Sequence, residues 1–143
     1  TLVALGSSYQ FVVEEFELKI RNVISGLESK EMFCPGSTIK ATFDNTDPLA
    51  YGMPDEGLVL FNSSPAFEIS PSRTNIDYKT IVRYKDKNLL KSGWLIGEKK
   101  IAKKPAMISV NYGEGRIIVI GFRTQHRNQT DGTFKLLFNT IVK

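Results

Sequence analysis

His126 is the chain's one histidine, and it sits inside an unbroken polar stretch, Arg123-Thr124-Gln125-His126-Arg127-Asn128-Gln129-Thr130. Arg123, Gln125, His126 and Arg127 are the candidate ligand-binding residues. They gather donors at the entrance to a helix, where free backbone N–H groups and the positive dipole end favour anions. A carboxylate or a sugar is the ligand class such a set would take. The competing reading is that these groups pair with acidic side chains and carbonyls and simply hold the loop. A second candidate is Ser7 or Ser8 in Leu5-Gly6-Ser7-Ser8-Tyr9, a tight turn between a strand and a helix. With His126 as base and Asp131 or Glu114 to orient it, an exposed hydroxyl there would make a hydrolase nucleophile. Serine is also a preferred helix N-cap for structural reasons alone, and capping is the commoner role.

Metal chemistry finds little to work with. A catalytic zinc takes about three protein ligands, and the chain offers one histidine and no His-x-x-Glu or His-Glu-x-x-His spacing. No metal ligand is therefore assigned. Cys34 is the single cysteine, so no disulfide forms within the chain, and in Phe33-Cys34-Pro35-Gly36 it reads as a packing thiol. Tyr9, Tyr51, Phe67 and Trp94 are scattered aromatics of the kind that pack in cores rather than stack sugars. Asn62-Ser63-Ser64 and Asn128-Gln129-Thr130 fit a glycosylation sequon, which matters only in a eukaryotic secretory pathway.

The elements that must position these residues read as follows. Thr1–Leu5 is a buried strand and Tyr9–Phe16 a helix with Phe11, Val12 and Phe16 on its apolar face, capped by Ser7 or Ser8. Leu18–Leu27 is ambiguous. Ser37–Asp44 alternates, with Ile39, Ala41 and Phe43 inward. Asn45–Pro54 is turn-rich, with one helical turn at Leu49–Tyr51. Leu58–Phe61, Ala66–Ile69, Tyr78–Tyr84 and Trp94–Ile96 read as strands, Ser70–Asn75 as a loop and Lys85–Lys87 as a turn. Ala106–Tyr112 alternates like a half-buried strand. Arg116–Phe122 is continuously apolar, as a strand covered on both faces is. Gly113-Glu114-Gly115 joins these two as a hairpin. From Asp131 to Val142, Phe134, Leu137, Phe138 and Ile141 recur at helical spacing, with Thr130 or Asp131 as cap. The expectation is one α/β domain over residues 1–143 with a mixed sheet, parallel at its beginning and antiparallel at the terminal hairpin.

The bulk composition agrees with a single domain: 143 residues, 41% hydrophobic and 24% charged, with a net charge of +4. Lys99, Lys100, Lys103 and Lys104 form the dense basic cluster, read as a solvated face, and without interleaved aromatics it gives no nucleic-acid groove. No apolar run is long enough to span a bilayer. The chain opens without Met and directly in a strand, so it is expected to be a fragment of a longer protein, with first βα units and any targeting signal upstream of Thr1.

Tyr112–Arg127 and Gly132–Asn139 also carry a resemblance. Together with Phe33-Cys34-Pro35-Gly36, Asp47–Pro54, Asn62–Phe67 and Ser92–Gly97, they resemble the class I glutamine amidotransferase-like domain that follows the catalytic domain in some bacterial zinc carboxypeptidases of the M14 family. The resemblance covers nearly the whole chain. It implies a flavodoxin-like, class I glutamine amidotransferase-like fold, and a non-catalytic accessory role that supports a peptidase by packing or by binding substrate or cell-envelope material. Zinc is then expected in the upstream catalytic domain, that domain is the expected partner, and a secreted or periplasmic setting follows. Active amidotransferases place a cysteine at the strand–helix elbow. This chain has Ser7 and Ser8 there, and it lacks the family's His-x-Glu pair.

Overall fold

In the computed structural model, residues 1–71, 76–127 and 129–142 are described. The expected loop at Ser70–Asn75 is therefore seen only at Ser70 and Pro71; the rest of it, Asn128 and Lys143 lie outside the described residues. Strands β1 (Leu2–Leu5), β3 (Ser37–Phe43), β4 (Glu56–Phe61), β6 (Asp77–Tyr84), β7 (Leu90–Ser92), β8 (Pro105–Tyr112) and β9 (Gly115–Ile120) form one sheet. Its order is β1-β9-β8-β6-β3-β4, with β7 pairing β3. β2 (Ile20–Asn22) and β5 (Phe67–Ile69) make a separate antiparallel pair. The helices are α1 (Tyr9–Glu15), α2 (Glu98–Ile101) and α3 (Phe134–Ile141). β1 runs parallel to β9, and the other pairings in the large sheet are antiparallel. The sheet is mixed, as expected.

β9 organises the core. Its successive side chains point to opposite faces, so Ile118 and Ile120 enter one cluster while Ile117 and Val119 enter the other. The first cluster is covered by Leu136 of α3, by Leu49 and Ala50 of a short 3-10 turn, and by Ile101 of α2. The second is covered by Tyr9 and Val12 of α1 and by Ile20 and Phe67 of the small sheet. β8 lies between β9 and β6, so both of its faces are covered too. Ala106 through Val110 are all buried, Ser109 included. The half-buried reading of β8 is thus corrected: its alternation came from a serine small enough to be enclosed. The hairpin has a two-residue connection, with Tyr112 opposite Gly115 and Gly113 at φ +55°.

Other expectations need correction. α1 buries Tyr9 and Val12 but leaves Phe11 67% exposed. Ser8 occupies its N-cap position without a side-chain cap, because the hydroxyl is bonded back to Leu5. Trp94–Ile96 is not a strand; the pairing segment falls earlier, at β7, and Ile96 makes only an isolated bridge with Phe33. The single turn α2 was not foreseen. α3 is rotated from the expected face: Leu136 and Thr140 are buried, as is Thr133 at its N-cap, Phe134 and Leu137 are half-buried, and Phe138 is 57% and Ile141 70% exposed. Polar bonds fix that rotation. Asn139 Nδ2 donates to the carbonyls of Leu49 (3.1 Å) and Tyr51 (3.0 Å), and Lys135 Nζ donates to that of Gly52 (2.9 Å). Thr130 and Asp131 give no side-chain cap.

Glu68 of β5 ties the small sheet to the large one, accepting from Arg21 of β2 and from Lys104 (2.9 Å), just before β8. Hydrogen bonds from Lys104 and Arg21 hold its carboxyl below the ordinary range. A carboxylate so depressed adds stability that is present above its unfolded pKa and is lost as pH falls through the folded one. Glu68→Gln is therefore expected to melt below wild type at pH 7, with the gap closing as pH drops below about 4; melting curves at stepped pH measure it. Tyr84 is fully enclosed, and burial pushes its hydroxyl far up, so it stays a donor, to Pro65 O at 2.9 Å. Tyr84→Phe is expected to cost about 1–2 kcal/mol in urea denaturation, since it orphans a buried carbonyl.

Candidate functional site

The parallel pairing of β1 with β9 brings their C-terminal ends side by side, Leu5 opposite Ile120. The chain leaves β1 through Gly6-Ser7-Ser8, a 3-10 turn with Gly6 at φ +55°, and enters α1. It leaves β9 through Gly121, Phe122 and Arg123. In open α/β sheets, ligands bind outside the carboxyl ends of the strands, and here two adjoining clefts open at that place. One, of about 350 Å³, lies between the Gly6–Gln10 segment, Asn22, the Asn62–Pro65 loop, Gly121 and Arg123. The other, of about 260 Å³, lies between Leu5–Ser7 and Phe122–Gln125. Gly6, Ser7 and Arg123 belong to both.

The polar loop divides accordingly. Arg123 and Gln125 line these clefts, and Arg123 is exposed. The Arg123 backbone N–H donates to Leu60 O (3.3 Å), which anchors the loop to the outer strand β4. Thr124 is buried, its carbonyl accepting from Thr133 Oγ1 at 2.8 Å and its hydroxyl bonded to Gln125 Oε1. Gln129 N–H donates to His126 O (2.8 Å), closing a turn in which Arg127 takes φ +50°. His126 and Arg127 line neither cleft. The sequence grouping of Arg123, Gln125, His126 and Arg127 as one set is corrected to this extent: the first two join Ser7, and the turn carries the others away.

The elbow position has its own geometry. Ser8 Oγ accepts from Leu5 N–H and donates to Leu5 O, both at 2.9 Å. Both bonds close the turn locally and occupy the hydroxyl, and among the described residues no hydrogen bond joins either serine to His126. Ser7 is exposed and faces the clefts. Cys34 is buried, and desolvation raises its thiol above the ordinary range, which makes it a poor nucleophile. The described residues bring together no group of three His, Cys, Asp or Glu side chains. They do not fit a catalytic zinc site, and no metal step is assigned to this chain. Among the described residues no helix is long and apolar enough to cross a membrane.

A wider groove of about 700 Å³ runs along β3 and β4 beneath Gln129–Thr133. It is mostly apolar, lined by Phe43, Met53, Pro54, Leu58 and Leu60. Asn22 and the Asn62–Pro65 loop were not singled out from the sequence as site residues. Their signal was available only as an Asn-Ser-Ser-Pro turn following a buried strand.

The fold has a counterpart among solved structures. The chain folds like a ThuA-like protein from Bacteroides uniformis. The match has a TM-score of 0.50 and covers 97% of this chain at 16% identity. The chain spans 56% of that protein's length. At such identity the likeness concerns the fold alone, and that fold is the class I glutamine amidotransferase-like α/β type with a mixed sheet. No family model and no curated protein matches the chain.

Ser8→Ala removes both bonds to Leu5 and is expected to lower stability by about 1 kcal/mol, read by urea denaturation. Ser7→Ala, which removes an exposed hydroxyl, is expected to leave stability within about 0.5 kcal/mol of wild type.

Proposed function

We propose that this chain is a non-catalytic accessory domain of an M14-type zinc carboxypeptidase-like protein, supporting the catalytic domain by packing or by ligand binding. The observation that carries the non-catalytic part is the elbow. Where an active amidotransferase of this fold holds a cysteine nucleophile, Ser8 has its hydroxyl engaged by Leu5. Ser7 has no imidazole bonded to it among the described residues. Nucleophilic catalysis needs a base within hydrogen-bond reach of the nucleophile. The peptidase setting rests on the resemblance of Tyr112–Arg127 and Gly132–Asn139. In that setting a zinc-activated water in the partner domain would remove C-terminal residues from peptides, in a secreted or periplasmic protein.

Two measurements test this. A fluorophosphonate probe is expected to leave the chain unlabelled, and glutamine is expected to release no ammonia in its presence; stoichiometric labelling at Ser7 would replace the proposal with a serine hydrolase. Sequencing the reading frame that encodes the chain is expected to reveal, upstream, a His-x-x-Glu motif and a later histidine. A frame with neither sinks the peptidase setting.

A further inference from the structure

The cleft of about 350 Å³ between the Gly6–Gln10 segment and the Asn62–Pro65 loop has features that a merely solvated crevice does not need. Among the described residues its walls carry one charged residue, Arg123, and no acidic one. Ser7, Gln10, Asn22, Asn62 and Ser63 share the lining with Arg123. Asn22 Oδ1 accepts from the backbone N–H groups of Ile24 (3.2 Å) and Ala66 (3.1 Å), so Nδ2 is the atom it can offer a ligand. The lining is thus rich in donors and carries a positive charge.

One wall is also held in advance. Asn62 N–H donates to Ser64 Oγ (3.1 Å), and Ser63 N–H donates to Cys34 O (3.2 Å). Pro65 O accepts from the buried Tyr84 hydroxyl. These bonds keep Ser63 at φ +50°, a left-handed conformation that costs a residue other than glycine free energy and that clusters at binding sites. Gly121 lets this loop close on the end of β9, since a Cβ there would stand 2.9 Å from Pro65 Cγ and 3.0 Å from the Phe67 ring. A wall fixed before binding lowers the ordering cost that a ligand meets. At about 350 Å³ the cleft is at the small end of ligand sites.

We propose that this cleft binds a small carboxylate-bearing molecule, with its carboxylate on the Arg123 guanidinium and its other polar atoms on Ser7, Gln10, Asn62 and Ser63. The planar guanidinium matches a carboxylate with two parallel hydrogen bonds. A phosphate dianion would bring a second negative charge, and among the described residues no other cation lines the cleft. The inference stands apart from the peptidase setting and holds or fails without it.

The test is a titration of the whole chain, followed by amide chemical shifts, with N-acetylalanine and with its uncharged primary amide. The acid is expected to saturate shifts at Ser7, Ser63 and Gly121, and the amide to bind about tenfold or more weaker. Arg123→Gln is expected to weaken the acid by a similar factor, while Arg127→Gln stays within about twofold of wild type. Should Arg123→Gln fail to fold, Arg123→Lys replaces it, with weaker binding expected because the fork is lost. Ser63→Gly relieves the left-handed strain and is expected to keep the fold while weakening the acid several-fold. Equal binding of acid and amide, equal loss in the Arg127 variant, or no shifts at about 10 mM acid would each overturn the proposal. A neutral sugar that competes more strongly than the acid would overturn it too.

Discussion

Everything in this fold depends on covering both faces of β9. Four consecutive apolar residues, Ile117 to Ile120, are buried, and no single layer can enclose side chains that alternate up and down. The chain answers with two layers of different make. On one side stand α3, α2 and the 3-10 turn at Pro48–Ala50; on the other stand α1 and the small β2–β5 sheet. Burying both faces of a strand also obliges its edges to be paired, because an unpaired N–H or C=O in such a place would be costly. β1 and β8 supply that pairing, one parallel and one antiparallel. The cleft follows from the same constraint, since the parallel partner must end beside β9 and turn away with it.

Where local pattern and burial coincide, the sequence was legible. The continuous apolar run of β9, the hairpin glycines, the alternation of β3 and the strand–turn–helix start all have short-range causes, and the structure has them at nearly the expected places. Where tertiary contacts decide, it was not. In α3 two stripes compete, one of large apolar residues and one of threonines with Leu136. Three carbonyls at Leu49, Tyr51 and Gly52, far away in sequence, select the second. Trp94 was drawn into a strand by its apolar neighbours, but Gly93 at φ +105° breaks the ladder. Its approach to Ser37, where an added Cβ would lie 2.4 Å from Oγ, leaves room for nothing larger than glycine.

The candidate site was half legible for a similar reason. Arg123 and Gln125 were visible as polar residues following a buried strand, and Ser7 as part of a tight turn. Nothing local says that a turn at His126–Gln129 carries Arg127 off, or that Asn22 arrives from the small sheet. Asn22 reaches the cleft because β2 pairs with β5, and β5 starts just after the Asn62–Pro65 loop. A wall assembled through two pairings is invisible to any window along the chain.

The pairing of β1 with β9 joins residues more than a hundred positions apart. Closing so long a loop is slow compared with forming hairpins or helices, and contacts of this separation weigh against rapid folding. β8 and β9 can zip up locally, and β3 can find β4, while the amino-terminal strand is still searching. The cleft has Ser7 and Gln10 from one end of the chain and Gly121 and Arg123 from the other, so it exists only once that last docking is complete. During synthesis its first wall is made long before its second. A small molecule that recognises the finished cleft would distinguish the completed domain from every partly folded form that precedes it.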